Sequence, residues 1–82
     1  MAPLDSILND VLSGFKDSNI AFSDMVRLLK AMGFKCRIRG DHYIFKKEGT
    51  NGIINIQPAG SKMKPYQVKQ IRYFILTYRL SL

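Results

Sequence analysis

Phe34-Lys-Cys-Arg-Ile-Arg-Gly40-Asp-His-Tyr-Ile-Phe45 is the stretch of this chain that decides its fold. Phe34, Cys36 and Ile38 alternate with Lys35, Arg37 and Arg39, a period of two that marks a half-buried strand with a basic outer face. Cys36 reads as a small buried apolar residue on the inner side. Gly40-Asp41 is a turn signal, and residues 42–47 continue as a second strand. Tyr43 and Phe45 share one of its faces, while His42, Ile44 and Lys46 share the other. Glu48-Gly-Thr-Asn-Gly52 closes a hairpin through the strong turn pair Asn51-Gly52, and residues 53–57 form a third strand. Ile54 and Ile56 alternate there with Ile53, Asn55 and Gln57, and Ile53 leaves open which face is buried.

On either side of these strands the period is 3.6. Leu4, Ile7, Leu8, Val11 and Leu12 define an amphipathic helix over 4–12, with Gly14 placed to stop it. Ser23 is the expected N-cap of a second helix that carries Met25, Leu28, Leu29 and Met32 on one face and ends at Gly33. Pro65 suits the first turn of a last helix running to about Arg79. Val68, Ile71, Ile75 and Tyr78 are expected inward, and Lys69, Arg72 and Arg79 outward. The order α-α-β-β-β-α predicts an α+β domain, a three-stranded antiparallel sheet with helices on one face and the other face free.

With 82 residues, 46% hydrophobic and 23% charged, the chain has ordinary globular composition and the length of one small domain. One cysteine excludes an internal disulfide, and one cysteine with one histidine cannot make a zinc site. No acidic cluster is suited to magnesium, so neither metal nor cofactor is expected. No stretch is long enough to span a membrane, and the first residues lack the basic start of a signal peptide. The expected location is the cytoplasm.

Thirteen Lys and Arg against six Asp and Glu give a net charge of +7. Four of the six acids lie in residues 1–24, and twelve of the thirteen bases follow from Arg27 onward. So lopsided a distribution points to an anionic partner for the later part, most commonly nucleic acid. Arg37 and Arg39, two positions apart on one strand face, lie about 6–7 Å from each other, within reach of successive phosphates. Lys46 belongs to the same side as His42, and Lys62, Lys64 and Lys69 gather around the start of the last helix, where free N–H groups and the dipole favour anions. A solvated basic surface explains the same residues. Tyr66 and Tyr73 are candidates either for base stacking or for packing.

His42 is the only side chain here whose ordinary pKa, roughly 6.5 for an imidazole, lies near neutrality. Beside a bound phosphodiester it would act as a proton-transfer group in RNA cleavage, with water, a lysine or Tyr43 as the second group. A turn residue without a partner is the plainer alternative.

Three pieces of the chain resemble the HicA family of bacterial toxins. They are the helix end Leu28-Leu-Lys-Ala-Met-Gly-Phe34, the strand Arg39-Gly-Asp-His-Tyr-Ile-Phe45, and Ile56-Gln-Pro followed by Lys64-Pro-Tyr-Gln-Val-Lys-Gln-Ile71. The resemblance covers Ser23 to Leu80, about three-quarters of the chain. It implies a double-stranded-RNA-binding-domain-like fold within a single domain over residues 1–82, with 23–80 as the core and 1–22 as an N-terminal helical addition. It implies a toxin that cleaves mRNA without metal and is restrained by a HicB-type antitoxin. The family's catalytic histidine falls on His42 and its preceding glycine on Gly40. Asp41 replaces the commoner serine, and it either orients the imidazole or repels phosphate. Pro58-Ala-Gly lacks the family's frequent second histidine. Two readings without catalysis remain beside this one. One is a non-catalytic RNA-binding module gripping RNA by shape. The other, disfavoured by the acidic residues 1–24, is DNA binding through the first two helices.

Overall fold

The computed structural model describes residues 2–82. Its elements are α1 (Leu4–Ser13), α2 (Phe22–Ala31), β1 (Lys35–Arg39), β2 (His42–Lys46), β3 (Ile53–Ile56) and α3 (Pro65–Tyr78). The strands form one antiparallel sheet in the order β1-β2-β3, so the α-α-β-β-β-α, α+β expectation is met. α2, the sheet and α3 together make a double-stranded-RNA-binding-domain-like fold, and α1 packs against both α2 and α3.

Phe45 pairs with Cys36 on one side and Ile54 on the other, and Tyr43 pairs with Ile38 and Ile56. These residues therefore share the face turned to the helices. Phe45, Met25, Leu28, Leu29, Ile56, Met63, Val68 and Ile71 form the centre of the core. The open question in β3 is thereby resolved: Ile54 and Ile56 are buried, while Ile53 and Asn55 face outward.

Five local expectations need correction. The turn between β2 and β3 falls at Glu48-Gly49, where Thr50 N–H donates to the Lys47 carbonyl and Gly49 takes φ 88°, rather than at Asn51-Gly52. Ala21, not Ser23, caps α2, with extended backbone (φ −67°, ψ 138°) and no side-chain capping bond. The helix starts early because residues 20–22 pair with the loop before α3: Phe22 N–H donates to the Ser61 carbonyl, and Met63 N–H to the Ile20 carbonyl. Ile38 lies on the inner face yet is 55% exposed, and Cys36 is only half-buried, because β1 is an edge strand that the helices do not fully cover. Arg72 is not a solvated outward residue; it is held against Asp17 and the Val11 carbonyl. Tyr78 is half-buried rather than core, and its hydroxyl accepts the Asn51 N–H.

The β1–β2 connection is a two-residue loop, Gly40-Asp41, since Arg39 pairs with His42. Gly40 has φ 61°, and in a type II′ hairpin the first loop residue needs such a left-handed value, which glycine adopts without strain. That tight turn sets His42 at the very end of the sheet, with Asp41 beside it.

Candidate functional site

The register places every second residue of the strands on the free face. Its rows are Lys35, Lys46 and Ile53, then Arg37, Ile44 and Asn55, then Arg39 and His42, with Gln57 just beyond the end of β3. Lys35, Arg37, Arg39, His42 and Lys46 are all exposed. A shallow depression on this face is lined by Lys35, Arg37, Ile44, Lys46 and Ile53. At a rise of about 3.3 Å per residue, the basic strip extends about 13 Å along β2 from His42 to Lys46.

Around His42 the side chains form a connected set. Its Nδ1 lies 3.2 Å from Asn55 Oδ1, and its Nε2 lies 3.2 Å from Gln57 Nε2. An amide oxygen only accepts and an amide nitrogen only donates, so this pairing places the proton on Nδ1 and leaves the Nε2 lone pair facing Gln57. The Gln57 amide is oriented by its other partners. Its Nε2 donates to Asp41 Oδ1 at 3.2 Å, and its Oε1 accepts from Lys64 Nζ at 3.4 Å. Reversing the amide would set oxygen against carboxylate and nitrogen against ammonium. The Gln57 backbone N–H donates to Oε1 of Gln67 at 3.3 Å, and Gln67 is a buried polar residue of α3. The helix thus fixes the chain at residue 57. The His42 side chain remains 47% exposed, and Asp41 Oδ1 lies 3.9 Å from Nε2.

The expected basic residues do not all converge. Arg37, Arg39 and Lys46 share the free face with His42, and Lys64 reaches the same end through Gln57. Lys62 is turned to Asn19, whose Oδ1 accepts from its Nζ at 2.9 Å. Lys69 is exposed on α3, the helix that covers the inner face, and no hydrogen bond links it to the His42 set. Tyr43, a candidate second proton-transfer group, is on the opposite face of the sheet, with its ring 4.9 Å from that of Phe22 at 77°. Asn55 and Gln57 were missed as site residues. Their alternation with Ile54 and Ile56 was a usable signal once that face was known to be buried.

Other bases have structural partners. Lys47 Nζ donates to the Met32 carbonyl at the end of α2, and Arg27 bonds Asp24 and the Ala2 carbonyl. Two guanidinium nitrogens of Arg72 grip Asp17 at 2.9 and 3.1 Å, and the bond to Asp17 holds the Arg72 pKa above its ordinary value. Among the described bases whose side chains have no hydrogen-bond or ion-pair partner, Lys35, Arg37, Arg39 and Lys46 lie on the sheet, and Lys30, Lys69 and Arg79 lie on or beside the helices. Among the described residues, no three of His, Cys, Asp and Glu come together as a metal site, and no helix is long and apolar enough to cross a membrane.

The sequence profile of a family described as HicA toxin of bacterial toxin-antitoxin matches residues 22–76, two-thirds of the chain. The chain belongs to the HicA toxin family. A toxin role within a toxin–antitoxin system, and with it an antitoxin partner, goes with that membership. The match begins at the first residue of α2 and ends two residues before the end of α3, so α1 lies outside it. No curated protein and no solved structure gave a significant match.

Proposed function

We propose that this HicA-family toxin is a metal-independent endoribonuclease acting on mRNA, with His42 as its proton-transfer residue. The observation that carries the reading is the His42 imidazole, 47% exposed at the end of a basic sheet face and held by Asn55 at Nδ1, with its Nε2 lone pair accepting from the Gln57 amide. In RNA cleavage the 2′-hydroxyl attacks the adjacent phosphorus, and a base that removes its proton speeds the step by roughly 10²–10⁴. Nε2 is the atom suited to that task. Arg37, Arg39 and Lys46 supply the positive strip along which the strand's phosphates lie, and Lys64 approaches from the helix side. Lys62 and Lys69 belong to a more peripheral electrostatic contribution.

The antitoxin partner is proposed to be an acidic HicB-type protein that covers the same face and so occludes His42. Residues 1–22 act as an N-terminal helical addition to a core at 23–80, within one domain. A labelled single-stranded RNA incubated with the purified protein in EDTA tests the enzymatic reading. Cleavage is the expected result. Retention of the RNA without cleavage would instead support a non-catalytic RNA-binding module of the same fold.

A further inference from the structure

The Gln57 carboxamide links His42 to Lys64. Its N–H side meets His42 Nε2 at 3.2 Å, and its oxygen meets Lys64 Nζ at 3.4 Å. Lys64 is half-buried at the N-cap position of α3, and its ammonium reaches the sheet end through that contact. A group that accepts from Lys64 on one side and donates to His42 on the other has the hydrogen-bonding pattern of a ribonucleotide at its scissile bond. There an oxygen on phosphorus accepts, and the neighbouring 2′-hydroxyl donates.

We propose that the Gln57 carboxamide occupies the seat of the scissile phosphodiester, and that Lys64, across that seat from His42, is the second proton-transfer residue. The proposal rests on the ribonuclease reading above. RNA displaces the Gln57 side chain, which keeps Asp41 as a partner for its amide nitrogen. The 2′-oxygen then bonds to phosphorus while its proton passes to His42 Nε2. The bond from phosphorus to the 5′-oxygen breaks with its electron pair on oxygen, and Lys64 Nζ supplies the proton that oxygen takes up. The products are a 2′,3′-cyclic phosphate and a 5′-hydroxyl end. His42 leaves protonated and Lys64 neutral, and exchange with water restores both. Attacking and leaving oxygens lie on opposite sides of phosphorus in such a displacement. Lys64 at the carboxamide oxygen and His42 at its nitrogen approach the seat from different directions, one for each oxygen.

The test compares wild type, Lys64→Met, Lys64→Arg and His42→Ala on two RNAs of the same sequence. One has the ordinary 5′-oxygen at the cleaved bond, and the other has sulfur there, a leaving group that departs without a proton. Lys64→Met is expected to lose roughly 10²–10⁴ on the oxygen substrate and to approach the wild-type rate on the sulfur substrate. Lys64→Arg keeps the charge but cannot release a proton, so it should show the same rescue even if the Met variant binds RNA poorly. His42→Ala should be slow on both. Equal losses on both substrates, or no loss at Lys64, would overturn the assignment of Lys64 while leaving the ribonuclease reading intact. A wild-type protein that cleaves neither RNA overturns that reading itself. For the seat, the ¹⁵N resonance of the Gln57 side-chain amide is followed as a non-cleavable 2′-O-methyl RNA is added. It should shift on binding, and an unmoved resonance at saturation would place the phosphodiester elsewhere.

Discussion

Asn55 Oδ1 accepts a hydrogen bond from Nδ1 of His42 across 3.2 Å, linking the outward faces of two adjacent strands. The bond does two things at once. It fixes the tautomer, and it stops the ring from turning about its axis. Replacing Asn55 with Leu removes the acceptor at similar size, on an exposed position where the fold has little to lose. Cleavage is expected to fall by roughly 10²-fold, the cost of a misplaced reacting group, while RNA affinity stays within a few-fold of wild type. Rate and binding measured on the same preparation check this, and a parallel loss of affinity would reassign Asn55 to the RNA contact.

His42→Ala should abolish RNA cleavage and growth inhibition while leaving circular dichroism and RNA binding close to wild type. The side chain is exposed, so little packing is lost with it. His42→Gln keeps hydrogen bonding without acid–base capacity and should be equally inactive. A folded Ala variant cleaving at the native rate would remove His42 from the mechanism.

Arg37→Glu with Arg39→Glu should weaken RNA association and flatten its salt dependence. Each lost phosphate contact reduces the slope of log affinity against log salt by about 0.7 on a single strand. Lys62→Glu with Lys69→Glu should have a smaller effect, since neither belongs to the His42 face. Titrations of both double variants between low and moderate salt decide between the two surfaces.

Association with the antitoxin is expected to slow markedly as salt rises, because charge complementarity acts mainly on encounter rates and is screened over about 8–10 Å at physiological ionic strength. Stopped-flow mixing with a HicB-type antitoxin measures it. Salt-independent association would point to an apolar interface away from the basic sheet.

Asp17→Asn should destabilise the protein by about 1–3 kcal/mol, since it leaves a mostly buried guanidinium without its carboxylate. The Arg72 pKa is raised by this pairing, so the stabilisation is fully present below the ordinary guanidinium pKa. It is lost only as pH climbs through the raised value. Urea denaturation should therefore give the same difference between wild type and variant at pH 7 and pH 9.

Hydrophobic period and turn chemistry alone determined the elements and their order. The switch from 3.6 to 2 at Phe34, the Gly40-Asp41 turn, the Glu48–Gly52 loop and Pro65 at a helix start are local signals, each read within a few residues. Because side chains alternate along a strand, His42 could be grouped with Lys46, and Arg37 with Arg39, before any pairing was known. Tertiary structure decided the rest, and the reason is distance along the chain. Asn55 and Gln57 are 13 and 15 residues from His42, and only the strand register brings them to its two ring nitrogens. Asp17 and Arg72 are 55 residues apart, and only the packing of α1 on α3 turns an apparent surface arginine into an anchor. Ile38 carries the same alternation as Phe45, yet one is exposed and the other buried. Alternation assigns a residue to a face, but how far the helices reach over that face belongs to the assembled layers.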